Sequence, residues 1–299
     1  MIVKVRDDRG RELLFGATPQ RVVSLVPSDT LSVYELGCGS VLVGRTDYCE
    51  LPETVKTLPS VGGTKDARFE AVMDLAPDLV IANQEENTRA LLEQVAQAGV
   101  RVFVAFPKRA ADALAHLARL ARIFRVERDV AVRELVRRGY QALRASEAER
   151  ATKRPLRVFC PIWMDPLMTV HNSTYISDVL AVSGGANVFA DRERRYPLAA
   201  DLGRARPVPE EDLAGRDVRY PRVTLDEVVE RNPELVLLPS EPHPFTDIDA
   251  EVFRRLPIDA ASRGAIVLTD GKDLSWYGSR TVDALPRVRA LIDAHRLYS

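Results

Sequence analysis

The chain has four histidines, the side chains best suited to proton transfer and axial metal ligation near neutral pH, and their settings differ. His171, in MTVHNSTY, precedes a helical stretch, and His243, in PSEPHPF, follows the apolar run ELVLLP, so both occupy loops. A neutral imidazole so placed is a good axial donor to cobalt or iron, although a lone loop histidine more often serves as polar surface. His116, on the apolar stretch ADALAHLARLA, and His295, near the C-terminus, read as structural or solvated. Asp47, Glu50, Asp66, Asp165 and Asp273 are loop carboxylates that could do general acid–base work. No GxSxG, HExxH, phosphate-binding loop or GxGxxG after the first strand-like run stands beside them. Without a nucleophile or a metal cluster, polar contact with a bound ligand is their more economical role, and binding without catalysis is expected.

The two tryptophans fall just beyond strand-like runs: Trp163, beside Met164, and Trp276, beside Tyr277. Ligands of open α/β sheets sit at the carboxyl ends of strands, which makes both candidates for a ligand-facing wall. Each could equally close a core, since tryptophan is mostly buried on average.

The elements that must position these residues are short. RVVSLV (21–26), VLVG (41–44), DLVIA (78–82) and RVFVAF (101–106) are continuous apolar runs, as expected of strands buried on both faces of a parallel sheet. Helical spacing lies between them in SDTLSVYELG (28–37), RFEAVMDL (68–75) and NTRALLEQVAQAG (87–99). Ser28 and Asn87 stand where N-caps belong, and Gly37 and Gly99 where helices stop. The same grammar returns in RVFCPI (157–162), ELVLLP (234–239) and the run ending at Asp270, with helices near 173–185, 224–231, 250–256 and 279–295. Residues 191–222, with four prolines and many charges, read as a long irregular loop.

One phrase is written twice. FEAVMDLAPDLVIA (69–82) and LDEVVERNPELVLL (225–238) match at a constant offset of 156, which sets Glu70 on Asp226, Val72 on Val228, Pro77 on Pro233 and Asp78 on Glu234. Each copy is a helix, a turn and a strand. Duplication for packing explains the valines, prolines and leucines, and an acid at a helix start also favours the helix dipole. From Glu127 to about Thr152 no proline interrupts a single amphipathic pattern carrying Val132, Leu135, Val136, Tyr140 and Leu143, which predicts a helix of roughly 36 Å. The expected organisation is an N-terminal α/β lobe (1–126), a linking helix (127–152) and a C-terminal α/β lobe (153–299).

A chain of 299 residues, 46% hydrophobic, can bury two ordinary cores. Its 42 basic residues nearly balance its 43 acidic ones, so no global field draws it to nucleic acid or anionic lipid. Charges at positions 4, 6 to 9, 11 and 12 leave no apolar signal stretch at the start, and three scattered cysteines, Cys38, Cys49 and Cys160, fit neither a disulfide framework nor a zinc site. A cytoplasmic location is expected on these cues, with an extracytoplasmic one as the alternative if a signal has been removed.

RVVSLVPSDTLSVYELGCGSVLVGRTDYCELPE, LPSVGG, FEAVMDLAPDLVIA, VLAVSGGANVF and SRTVDALPRVRALI follow in that order across about residues 20 to 296. Together they resemble the helical-backbone class of ABC-transporter substrate-binding proteins. Within it they are most similar to vitamin B12 (cobalamin) binders, with ferric siderophore and haem binders as cousins. The resemblance implies two Rossmann-like α/β lobes with parallel-sheet cores joined by one long backbone helix. It also implies a monomer that needs no catalytic cofactor and holds a corrinoid, or haem or a ferric siderophore, in the cleft between the lobes. Tyr48 matches a tyrosine that lies against the corrin in cobalamin binders, and Tyr220 stands where an aromatic is usual, whereas Thr64 and Asn83 replace aromatics of some relatives. Tyr48, Trp163, Tyr220 and Trp276, with Tyr277, are then the expected faces of the site, Ser28, Thr64, Asn83, Asn172 and Arg280 its polar edges, and His171 and His243 optional metal ligands. The acids matching the family's permease-docking positions are Glu70 and Asp226, with Glu227 as a substitute beside the second. Two other functions share this plan: a cytoplasmic corrinoid or haem carrier or sensor without a transporter, and a chelatase-like enzyme acting on a tetrapyrrole.

Overall fold

Apolar β-branched runs with no polar alternation must be covered on both faces. In the computed structural model of the chain, which describes residues 2–296, they form the centres of two parallel sheets. The chain divides into two units. The first comprises Met1–Pro107, Ala111–Gln141 and Trp276–Val282, and the second Lys108–Ala110, Ala142–Ser275 and Asp283–Ser299.

In the first unit an antiparallel hairpin, β1 (Val3–Arg6) and β2 (Glu12–Phe15), precedes the sheet. Strands β3 (Val22–Ser24), β4 (Leu42–Arg45), β5 (Leu79–Asn83) and β6 (Arg101–Ala105) lie parallel in the order β4-β3-β5-β6. Val22, Val23 and Leu79 to Ala82 have no exposed surface. Helices α1 (Pro27–Glu35), α2 (Phe69–Asp74), α3 (Arg89–Gln97) and α4 (Ala110–Ile123) alternate with these strands. Helix α5 (Val130–Arg150) runs on from the first unit into the second, the division falling after Gln141. Ser28 and Asn87 do not cap helices as their sequence positions suggest. Pro27 fits the first helical position with its fixed φ, so the cap of α1 lies two residues earlier, on Val26. Helix α3 begins after Thr88, because the Asn87 side chain is engaged elsewhere.

The second unit repeats the plan. Strands β7 (Leu156–Phe159), β10 (Gly185–Asn187), β11 (Leu235–Pro239) and β12 (Ile266–Thr269) lie parallel in the order β10-β7-β11-β12, and a short hairpin of β8 (Trp163–Met164) and β9 (Leu167–Met168) follows β7. Its helices are α6 (Tyr175–Val182), α7 (Leu198–Asp201), α8 (Leu225–Arg231), α9 (Asp247–Arg254), α10 (Asp259–Ser262), α11 (Lys272–Ser275) and α12 (Arg280–Ala294). The first three residues of α12 belong to the first unit. Strand β10 begins at the last residue of the helix-like stretch 173–185: α6 stops at Val182, and Gly184, with φ of 93°, turns the chain into the sheet. The charged segment 191–222 is irregular apart from α7 and one 3-10 turn at Glu210–Asp212.

The duplicated phrase has a physical meaning that the pattern alone did not show. Asp78 accepts hydrogen bonds from the backbone of Gln20 (2.8 Å) and Arg21 (3.1 Å), just before β3. Glu234, its counterpart, accepts from the Arg157 backbone (3.1 Å) in β7 and from Arg154 (2.6 Å) and Arg263 (3.1 Å). Two arginines outside the phrase close the same loop. Arg21 donates to the carbonyls of Leu75 (2.7 Å) and Ala76 (3.1 Å), and Arg157 to those of Arg231 and Asn232 (3.3 Å), so each guanidinium covers the orphan carbonyls that end α2 or α8. Ala76 and Asn232, also 156 apart, both turn left-handed, with φ of 44° and 39°.

Burial alone would raise the Glu234 carboxyl, but Arg154, the Arg157 N–H and Arg263 outweigh it and hold the group down at about 2. A depressed carboxylate stabilises the fold fully above its ordinary value of 4.5 and loses that contribution as pH falls toward 2. Urea unfolding of Glu234→Gln at pH 7 should therefore show a loss on the order of 3 kcal/mol, shrinking as both proteins are unfolded at successively lower pH between 4.5 and 3. A difference independent of pH would refute the charge-based account of this lock.

Candidate functional site

In both sheets the chain passes from its first strand to a neighbour on one side and then to a neighbour on the other. The crevice where order reverses lies outside the carboxyl ends of β3 and β5 in one unit and of β7 and β11 in the other, the usual ligand position in open α/β sheets.

At the first crevice Asn87 ties three loops. Its Nδ2 donates to the carbonyls of Leu25 (3.2 Å) and Thr64 (2.9 Å), and its Oδ1 accepts from the Asn83 backbone (2.8 Å). Asn83 in turn accepts from the backbones of Glu85 (2.7 Å) and Glu86 (3.2 Å), and Thr64 donates to the Glu86 carboxylate (3.3 Å). Thr64, Asn83 and Ser28 are all buried, and the side chains of Thr64 and Asn83 are engaged in holding these loops. Tyr48 is 64% exposed. A Cβ on Gly63 would come within 3.2 Å of its ring, so the bare glycine lets the aromatic lie close to the loop.

Trp276 and Tyr277 are each 5% exposed, and with Gly278 to Val282 they are built into the first unit. What holds them was not legible: Asp29, wholly buried on α1, accepts from His116 Nε2 at 2.5 Å and from the Tyr277 hydroxyl at 2.8 Å. His116 stacks on Phe103, with centroids 5.5 Å apart, and meets Tyr277 edge-on. Burial, and then the Asp29 charge, push the Tyr277 hydroxyl well above its ordinary value, so it stays a neutral donor. The Ser279 backbone donates to Ser32 Oγ (3.0 Å), completing the anchor just before Arg280, which is half-buried at the start of α12. Asp29 stands among Ser28, Thr30 and Ser32, so its sequence surroundings do not mark it out as a buried acid.

The second crevice is more open. Trp163 is 43% exposed, its Nε1 donating to the Asp165 carbonyl (3.0 Å), and its ring meets His243 edge-on at 5.4 Å; His243 meets Phe245 at 4.6 Å. Residues after β7 and after β11 thus converge as the crevice requires. His171 and Tyr220 come together through a backbone ladder in which Thr169 N donates to Pro221 O (3.0 Å) and His171 N to Arg219 O (2.8 Å). His171 Nδ1 lies 2.8 Å from Ser173 Oγ and 3.3 Å from the Ser173 backbone nitrogen, so this side of the ring faces the turn that leads into α6. Tyr220 is half-buried beneath the Arg219 guanidinium, 5.5 Å from its ring centre, and Asn172 is exposed. Among the described residues no group of three or more His, Cys, Asp or Glu side chains is placed to hold a metal ion.

Glu70 and Asp226 lie exposed in the first turns of α2 and α8, and neither carboxylate has a hydrogen-bond or ion-pair partner among the described residues. Glu227 is engaged: it closes a capping box with Thr224 (2.9 Å) and pairs with Arg192 (3.1 Å), so it is a poor substitute for its neighbour. A groove of about 600 Å³ between α4 and α5, lined in part by Ala118, Val130 and Val136, contains none of the candidate ligand residues.

Twin parallel sheets with aromatic side chains exposed at their strand-end crevices are the frame on which a family match can be placed. Residues 22–240 match the model of the Periplasmic binding protein family, and the chain belongs to that family of non-catalytic binding proteins, whose members serve ABC-type uptake. It is 28% identical over 223 residues to the vitamin B12-binding protein of Photorhabdus laumondii, covering 74% of this chain and 71% of that one. Against the vitamin B12-binding protein of Yersinia pestis it is 31% identical over 179 residues, covering 60% of this chain and 63% of that protein, less than two thirds of its length. The fold is that of the periplasmic vitamin B12 binding protein of Vibrio cholerae (TM-score 0.71, 20% identity, 93% and 98% of the two chains). It is equally that of the periplasmic haem-binding protein of Roseiflexus in its apo form (TM-score 0.73, 20% identity, 94% and 100%). No helix of the described residues is long and apolar enough to cross a membrane.

Proposed function

We propose that the protein captures a corrinoid and delivers it to an ABC-type permease. The observation that carries this reading is Trp163, a large aromatic left 43% exposed at the strand-end crevice of the second unit and backed by His243 and Phe245. A corrin has a wide, nearly flat apolar face, and such a face gains dispersion and desolvation against an exposed ring. Tyr48, exposed at the strand ends of the first unit, offers a comparable ring. The likeness to two vitamin B12-binding proteins supports the choice of corrinoid over other flat metal chelates. Haem is the second reading, favoured by His243, a part-buried imidazole beside the exposed Trp163 ring, whose Nε2 lies 3.9 Å from Asp249 and is the nitrogen that would serve as an axial donor.

Titration with cyanocobalamin, haemin and ferric hydroxamates, followed by visible absorbance and tryptophan emission, separates these readings. Cyanocobalamin should bind at micromolar concentration or tighter, and Trp163→Ala should weaken it by about 2 kcal/mol, as truncation of an aromatic anchor does. His243→Ala should leave the corrinoid spectrum unchanged but alter that of bound haemin. Binding by haemin alone would replace the first reading with the second, and binding by none of the three would end both.

In the uptake reading the protein works outside the cytoplasm, and the unpartnered carboxylates of Glu70 and Asp226 meet basic pockets on the permease. The double variant Glu70→Lys/Asp226→Lys should bind cyanocobalamin like wild type but fail to bind the reconstituted permease. Undiminished permease binding would remove both acids from docking, and the carrier reading would then stand in its place.

A further inference from the structure

Around Tyr196, in the irregular segment between β10 and α8, three arginines gather, and the nearest carboxylates, Asp201 and Asp217, are hydrogen-bonded to other donors. The Arg194 guanidinium carbon lies 4.4 Å from the centre of the Tyr196 ring and that of Arg216 lies 5.3 Å away. Backbone bonds from Arg194 N to Val218 O (2.7 Å) and from Arg222 N to Asp201 Oδ2 (2.8 Å) fold the segment so that Arg222 joins them. The acids nearby are already used. Asp201 accepts from Arg192 Nη1 (3.0 Å) and from the backbones of Arg195 (2.8 Å) and Arg222, and Asp217 is bound by Arg219 (2.6 Å). Among the described residues, none of Arg194, Arg216 and Arg222 has a carboxylate within ion-pair distance.

The consequence is an unsatisfied set of donors. Arg194 Nε and Arg222 Nε and Nη1 are buried from solvent and have no acceptor. Leaving such N–H groups unmade costs free energy, more when they belong to a cation, and buried polar groups in native proteins are nearly always paired. Burial and the neighbouring Arg194 charge both hold the Arg222 guanidinium below its usual range, the mark of two cations placed side by side. A planar guanidinium presents parallel donors that match the oxygens of a carboxylate or phosphate, and the Tyr196 face steadies two of the three cations.

We propose that Arg194 and Arg222, with Arg216 at the rim, form a binding site for an oxyanion, a carboxylate or phosphate group. The site adjoins the ladder that carries His171 and Tyr220, because Arg194 bonds to Val218 and His171 to Arg219. It can therefore receive the acidic edge of a larger ligand or a free anion. It does not rest on the corrinoid reading, since simple anions test it alone.

The arginine Nε–H resonances of the full chain, followed by ¹H–¹⁵N NMR during separate additions of inorganic phosphate and acetate, report on the site directly. With chloride matching the ionic strength, two Nε–H signals should move saturably, and the stronger of the two anions tells phosphate from carboxylate preference. Arg216→Gln should weaken the affinity at least threefold, and Arg194→Gln should abolish the response while leaving the circular dichroism spectrum unchanged. Adding cyanocobalamin, which carries a phosphodiester, then tells the sources apart: displacement of phosphate assigns the site to a ligand's acidic edge, and independent binding assigns it to a free anion. Signals that move no further with phosphate or acetate than with chloride, or an undiminished response in Arg194→Gln, would overturn the proposal.

Discussion

A carboxylate in front of one strand fixes the backbone of the strand beside it, and this constraint sets what both units display. Asp78 receives the N–H groups that lead into β3 while its own N–H bonds to the Arg21 carbonyl (2.9 Å). Glu234 does the same with Arg157 of β7, its N–H donating at 2.8 Å. A one-residue slip of a parallel ladder turns every side chain to the other face, and pinning the first strand of each sheet to the third opposes it. Those are the strands that flank the crevice in each sheet. The Arg21 and Arg157 guanidiniums extend the lock to the ends of α2 and α8, which carry Glu70 and Asp226 at their other ends.

The two units use the common frame differently. The first fills its crevice with polar support: Asn87 holds the loops after β3 and β5, and the Asp29, His116 and Tyr277 network anchors a segment from near the C-terminus. What it leaves exposed is Tyr48. The second unit leaves Trp163 in the open, against two further rings. Aromatic surface exposed at a strand-end crevice, on loops tied down by buried hydrogen bonds, would meet the proposed flat ligand without reorganising. Rings give affinity with little dependence on the ligand's polar decoration, which is consistent with one fold being shared by relatives named for vitamin B12 and for haem.

Much of this was legible because it is local. The apolar runs, the helix breaks at Gly37 and Gly99 and the duplicated phrase named seven of the eight strands of the two parallel sheets and both copies of the helix–turn–strand unit, but neither short antiparallel hairpin. Trp163 and His243 were placed at strand ends by counting from the runs before them. Sequence distance hid the rest. Asp29 and Tyr277 are separated by 248 positions, and nothing near either announces the other. Asn87 looked like a helix cap because asparagine suits that position, yet its side chain is more valuable across three loops. The repeat pointed to Asp78 and Glu234 only as matching letters, since their arginine partners lie outside it. Strand β10 is three residues long and includes a glycine and an asparagine, which carry little strand signal of their own.

Hydrogen exchange of the full protein with and without saturating cyanocobalamin, resolved by mass spectrometry, tests the placement of the ligand most directly. If the strand-end crevices are the binding surfaces, exchange should slow in the loops spanning 46–66, 161–168 and 240–246, and remain unchanged along α4 and the start of α5. Protection confined to the groove between those helices, or binding that leaves all three loops exchanging as before, would contradict it.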